Sequence, residues 1–159
     1  MAAMAVTTTH GAQAQVTPDR IKNAAQEPRN WLTNHHSFSA SRYSPLDIVN
    51  KTNAKSLKLA FAVPIGGASG NEHLQATPIV EDGMMYVTDG WGSVYRIDVR
   101  SGRRGVIQWK MDPGTDRAWA GDVACCGVNN RGVGFWKGSI RGSIGGSRVK
   151  RAARGGRGT

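Results

Sequence analysis

Both cysteines of the chain are neighbours, Cys125 and Cys126, in the run Ala124-Cys125-Cys126-Gly127-Val128. A trans peptide holds their Cα atoms about 3.8 Å apart, less than the roughly 4.4–6.8 Å that most disulfides span. A bond between them would be strained and comparatively easy to reduce. It would close almost no loop, so it would add little stability through the unfolded state. Its use would be local, as a rigid, flat, polarisable surface. Two reduced thiols that happen to be adjacent are the alternative, and the pair alone leaves both open. Other residues with chemistry carry weaker signals. His35 and His36 invite a metal, but no further ligand stands at metal-site spacing, and they read as an ordinary polar loop. The run Asp112-Pro113-Gly114-Thr115-Asp116-Arg117 holds two acids without the spacing of a calcium loop. Glu72 sits in a loop, where a carboxylate is ordinarily solvated.

The residues after the cysteines sharpen the reading. Asn130-Arg131-Gly132-Val133 and the aromatic pair Phe135-Trp136 follow, and with Cys125-Cys126 they closely resemble the quinoprotein alcohol dehydrogenases. These are the methanol and ethanol dehydrogenases that use pyrroloquinoline quinone (PQQ). The resemblance implies that Cys125 and Cys126 form a vicinal disulfide packed against one face of the quinone, and that Arg131 reaches the quinone oxygens. A guanidinium suits that role, because it is always charged and can stabilise negative charge developing on a quinone oxygen. Glu72 resembles a family glutamate that follows the first long strand and contacts PQQ. Ile97-Asp98, Ser101-Gly102 and Trp109 resemble, in their spacing, the tryptophan docking motif by which blades of this family lock together. A buried core tryptophan is compatible with that role.

The elements that must position these residues read as strands. Leu57, Leu59, Phe61 and Val63 alternate with Lys58, Ala60 and Ala62, which predicts a half-buried strand. Ala76-Thr77-Pro78-Ile79-Val80 comes next, then a turn at Glu81-Asp82-Gly83. Strands are expected at 84–88, 93–98 and 106–111, separated by Asp89-Gly90-Trp91-Gly92 and Ser101-Gly102. Four short antiparallel strands in this stretch match one propeller blade. Upstream, residues 16–56 read as a lead-in segment. In it Ser44 could cap a short helix over 45–50, with Pro45 at its first position and Asp47 near its positive end. The resemblance covers residues 28–137 and implies an all-β fold, the N-terminal part of an eight-bladed propeller. Residues 57–138 are then a partial propeller.

Composition agrees. Apolar content is 39%, enough for a core, and 21 glycines suit a turn-rich β protein. No apolar run has the length of a membrane-spanning helix. Formal net charge is +10, but Arg141, Arg148, Lys150, Arg151, Arg154 and Arg157 stand in 139–159 without any acid. Without them 15 basic residues face 11 acidic ones, a balance of +4. Rich in glycine and poor in apolar residues, 139–159 reads as a disordered tail, the product of a frameshift or truncation. A basic arm for nucleic acid is the rival, weakened by the lack of aromatics for base stacking. Residues 1–15 read as a clipped secretory signal, with Ala12-Gln13-Ala14 as its cleavage pattern.

The expected function is therefore that of an N-terminal fragment of a periplasmic PQQ-dependent alcohol dehydrogenase, inactive alone. The resemblance implies PQQ with calcium or a lanthanide, a small primary alcohol as substrate and cytochrome c as electron acceptor. The family's metal ligands and catalytic aspartate have no counterpart in this chain. A non-catalytic propeller interaction fragment is the alternative.

Overall fold

The structure, a computed structural model, describes residues 15–66, 72–118, 128–136, 139–144 and 147–148. Its centre is a four-stranded antiparallel meander of β2 (Ile79–Glu81), β3 (Met84–Thr88), β4 (Val94–Asp98) and β5 (Val106–Met111), paired in chain order. The first turn contains two residues, Asp82 and Gly83, both with positive φ, which matches the right-handed twist of the strands it joins. Glu81 belongs to β2 and not to the turn, because it pairs with Met84. The second turn is closed by Asp89, whose Oδ1 accepts the Ser93 N–H at 2.9 Å while its backbone carbonyl accepts the Gly92 N–H at 3.1 Å. Between β4 and β5 the register shifts at Arg96/Ile97, so Gln108 is the extra residue of a bulge.

Both faces of this sheet are covered. On one, Ile79, Met84, Tyr86 and Val94 pack with Val133 and Ile140, and Trp109, Met111 and Phe135 border the cluster. Val133 and Ile140 come from a second antiparallel sheet of β7 (Val133–Trp136), β8 (Ser139–Ile144) and β9 (Ser147–Arg148). On the opposite face Val87, Tyr95 and Ile97 pack with Val63 and Ile65. The all-β propeller expectation holds, with one complete four-stranded unit and part of the next.

Three local expectations do not hold. No helix forms over 45–50. Ser44 Oγ accepts the Leu46 N–H at 3.3 Å in a local turn, and Leu46, Ile48 and Val49 are exposed. With no apolar stripe buried, nothing offsets the cost of helix nucleation. The same cap-proline-acid signature occurs at Thr17-Pro18-Asp19 and does form a helix, α1 (Pro18–Lys22), where Thr17 Oγ1 accepts the Arg20 N–H. There the tertiary anchor exists: Arg20 binds Glu27 at 2.6 Å and Glu81 of β2 at 2.8 Å. Second, 57–63 is extended but joins no ladder among the described residues, and Leu59 is 85% exposed. Third, 139–144 and 147–148 of the expected tail are strands, because Ile140 finds a place in the core beside Val133. The rest of that tail and residues 1–14 lie outside the described residues.

The lead-in segment is tied to the meander by backbone. Trp31 and Val80 exchange two N–H···O bonds of 2.8 Å, and Asn30 Oδ1 accepts the Asp82 N–H. His36 is buried with its ring 4.6 Å from that of Trp31, and His35 Nδ1 accepts from Arg42 Nε. His36 thus packs in the lead-in loop, and His35 bonds within it.

Candidate functional site

Two short strands carry the candidate residues. β1 (Glu72–Leu74) pairs in parallel with β6 (Val128–Asn130), placing Glu72 opposite Val128 and Leu74 opposite Asn130. Parallel neighbours need a long crossover, and here the whole meander is that crossover. Residues 56 positions apart in sequence, Glu72 and Val128, become neighbours. Cys125 and Cys126 stand one residue, Gly127, before β6 in the sequence and lie outside the described residues.

Arg131 follows β6 with its side chain exposed and its backbone held on both sides. Before it, Asn130 is 4% exposed, and its Oδ1 accepts from Thr88 Oγ1 and from the Gly132 N–H, each at 2.9 Å. After it, Gly132 has φ 118, a conformation that disfavours a side chain, and a Cβ there would stand 3.1 Å from the Thr77 carbonyl. The Arg131 carbonyl accepts the Thr77 N–H at 3.4 Å. A cation is therefore presented to solvent from a fixed bend. Sequence reasoning missed Asn130. Its signal was present, since an Asn two residues before a Gly is a common side-chain-closed turn. It also missed Gln75, which follows Leu74 as Arg131 follows Asn130 and is likewise exposed.

Glu72 is half-buried, and the Trp91 indole N–H donates to its Oε1. Trp91 itself is fixed: its carbonyl accepts from Thr115 Oγ1 at 3.1 Å, and the Arg117 guanidinium lies 5.1 Å over its ring. Trp109 stands at the border of the cluster between the two sheets, its ring centroid 6.4 Å from that of Tyr86. Among the described residues no group of three or more histidines, cysteines or acids could hold a metal ion.

The turn before Trp91 sets the height of this platform. A Cβ on Gly90 would meet the Val128 carbonyl at 2.8 Å and the His73 backbone at 3.4 Å. All of these are main-chain atoms of the β1–β6 pair, which cannot step aside as a side chain can. Gly90→Ala is expected to destabilise the chain by about 1–3 kcal/mol, read as a lower urea midpoint. An unchanged midpoint would mean that the turn and the strand pair separate at no cost.

Residues 31–156 match the family described as PQQ, glucose/ethanol/alcohol dehydrogenase, β-propeller domain. The chain belongs to that quinoprotein dehydrogenase family. The match runs past Gly138, where the sequence reading had the resemblance stop, and so agrees with the strands found beyond that point. The quinohemoprotein alcohol dehydrogenase ADH-IIG of Pseudomonas putida is 42% identical over 127 residues, 80% of this chain and 17% of that protein. A solved structure of ADHIIG from Pseudomonas putida HK5 superposes with a TM-score of 0.73 at 35% identity, covering 87% of this chain and 21% of the other. A europium-containing methanol dehydrogenase gives 0.68 at 28% identity, covering 79% and 21%. The 1-butanol dehydrogenase (cytochrome c) of Thauera butanivorans is 42% identical over 110 residues, 69% of this chain and 15% of that protein. This quinoprotein chain thus spans about a sixth of the length of the curated relatives it matches.

Proposed function

We propose that the chain forms one wall of the quinone site in a periplasmic PQQ-dependent dehydrogenase that oxidises primary alcohols such as methanol or ethanol. The observation that carries this reading is the cation of Arg131, presented from a bend that Asn130, Gly132 and Thr77 hold rigid, five residues after the cysteine pair. An exposed guanidinium carried by a fixed backbone fits a group that bears carboxylates and quinone oxygens. When bound, PQQ supplies the two-electron acceptor for alcohol oxidation.

This chain's own residues then bind and orient. Arg131 donates to an oxygen that gains negative charge, and its backbone is already fixed by folding, so only its side chain has to settle on the group. Glu72, held by the Trp91 indole, places a carboxylate at the same strand pair. Cys125 and Cys126, joined as a disulfide, give a flat surface that excludes water from one face. Trp109 docks the complete blade on the next. In this reading calcium or a lanthanide, held by residues outside this chain, would supply a Lewis acid at the quinone, and cytochrome c would be the electron acceptor. An oxidised cysteine pair suits an exported protein, and no helix among the described residues is long and apolar enough to cross a membrane.

The chain alone is expected to reduce no dye with alcohol, PQQ and calcium or a lanthanide. Grafted in place of the matching segment of the Pseudomonas putida ADH-IIG enzyme, it should restore PQQ-dependent oxidation. Activity of the 159-residue chain by itself, or a folded graft that binds no PQQ, would overturn the reading. The disulfide has a separate check. Non-reduced exported protein should carry no alkylatable thiol at Cys125 or Cys126 and gain two on reduction. Two free thiols before reduction would exclude the bond.

A further inference from the structure

The run 112–117 carries two acids without calcium-loop spacing, and its geometry shows another use. Asp112 Oδ1 accepts the Gly114 N–H at 2.9 Å, and Asp116 Oδ1 accepts the Ala118 N–H at 3.0 Å. Each acid closes a local turn of its own segment. Thr115 and Arg117, two residues apart on this ordered run, reach the same target. Thr115 Oγ1 donates to the Trp91 carbonyl at 3.1 Å, and the Arg117 guanidinium lies 5.1 Å over the indole ring. At the edge of that ring, the indole N–H donates to Glu72 Oε1. Trp91 is buried, and its two neighbours fix its backbone. Gly90 lies so close to the main chain of the β1–β6 pair that it has no room for a Cβ, and the Gly92 N–H bonds the Asp89 carbonyl. The indole is thus held at its backbone and across its face, and its one polar atom is directed at Glu72.

The order of charges matters: a cation on the ring face, a neutral ring, and a carboxylate at the donor edge of the ring. A cation over the face draws density from the π-system and polarises the N–H, which makes it a stronger donor to an anion. The bond to Glu72 is itself charge-assisted when the carboxylate is ionised. We infer that Trp91 is a positioning residue of the quinone site: it fixes the direction of the Glu72 carboxylate beside the β1–β6 pair, and Arg117 strengthens that grip through the ring. The inference rests on reading this strand pair as a wall of the quinone site, where Glu72 meets the cofactor and Trp91 acts through Glu72. A glutamate side chain has several free torsions, and binding must immobilise them before the carboxylate meets a ligand in one orientation. The indole removes that freedom before the cofactor arrives. The run 112–117 is then a brace for Trp91, and it connects the far end of the meander to a residue of β1.

Two measurements separate this coupling from the reading it rests on. In the full 159-residue chain, NMR follows the indole N–H proton of Trp91. Glu72→Gln and Arg117→Ala should each move it upfield, Glu72→Gln further. In the ADH-IIG graft, equilibrium dialysis measures PQQ affinity without turnover. Trp91→Phe keeps a ring against Arg117 but loses the N–H, and should lower affinity about tenfold, as expected for a hydrogen bond to a charged group. Glu72→Gln should lower it at least as much. The double variant should be no weaker than Glu72→Gln alone, because the indole acts only through that carboxylate. Arg117→Ala should fall between wild type and Trp91→Phe. An indole proton that ignores Glu72→Gln, a folded Trp91→Phe graft with wild-type affinity, or losses that simply add in the double variant would overturn the inference. Should Trp91→Phe fail to fold, Arg117→Ala decides, since it changes an exposed position: an indole proton and a PQQ affinity both as in wild type would overturn it. Wild-type affinity in an Arg131→Ala graft would instead overturn the quinone wall itself, with the indole response to Glu72→Gln intact.

Discussion

Arg20→Ala is expected to destabilise the fold by about 1–3 kcal/mol at neutral pH, because it leaves the buried Glu81 carboxylate without its charged hydrogen-bond partner. The Arg20 guanidinium is shared by two carboxylates, Glu27 through Nε and Nη2 and Glu81 through Nη1. They respond differently. The two-point grip of Arg20, helped by Asn30, holds the Glu27 carboxyl below its ordinary range. Glu81, whose side chain is 8% exposed, is pushed up, because burial outweighs the attraction of the same guanidinium. The signs follow from linkage. The Glu27 contribution is present above the ordinary carboxylate pKa and is lost as pH falls through its lowered value. Ionised Glu81 opposes folding, and that penalty vanishes as pH falls below its raised value. Without Arg20 the buried Glu81 charge stands uncompensated, and the Glu27 contribution is gone as well. The gap between wild type and variant should therefore be widest near pH 7 and narrow toward pH 4. Urea midpoints at the two pH values measure it. A gap that does not change with pH would mean that the two carboxylates are not what Arg20 serves. Arg20→Lys should fall between, since an ammonium keeps the charge but cannot grip Glu27 at two points and reach Glu81.

The second large effect concerns the site. At the position matching Arg131 in a full-length relative, Arg→Ala is expected to lower kcat by about 10²–10³-fold, the typical loss for one pre-oriented donor to a developing oxyanion. Quinone affinity should fall too, because the cation is presented in the ground state as well. Arg→Lys should recover the charge but only part of the rate. Wild-type rate and affinity in the alanine variant would remove Arg131 from the quinone site. Asn130 provides a control on the cause. Asn130→Ala unties Thr88 and the Gly132 N–H and should weaken quinone binding with the arginine still present.

What was legible in the sequence was local. The hairpins of the meander announce themselves by period-two alternation and by Asp82-Gly83, Gly92 and Gly102, whose positive φ values the turns require. The cysteine pair with Arg131 and the strand spacing before it carried the family, because such motifs are contiguous in the chain. Partners distant in sequence were not legible. Thr17-Pro18-Asp19 and Ser44-Pro45 carry nearly the same helix signal, and only the first has a Glu81 to fasten it. The indole N–H that fixes Glu72 belongs to a residue nineteen positions away, across a turn pressed against the strand pair. Ile140 became core only because Val133 and Tyr86 stand beside it, although the glycine and arginine around it read as unfoldable. Segment 57–63 shows the converse. Its alternation reads as a strand and the segment is extended, but a ladder forms only when another backbone offers its edge, and among the described residues none does.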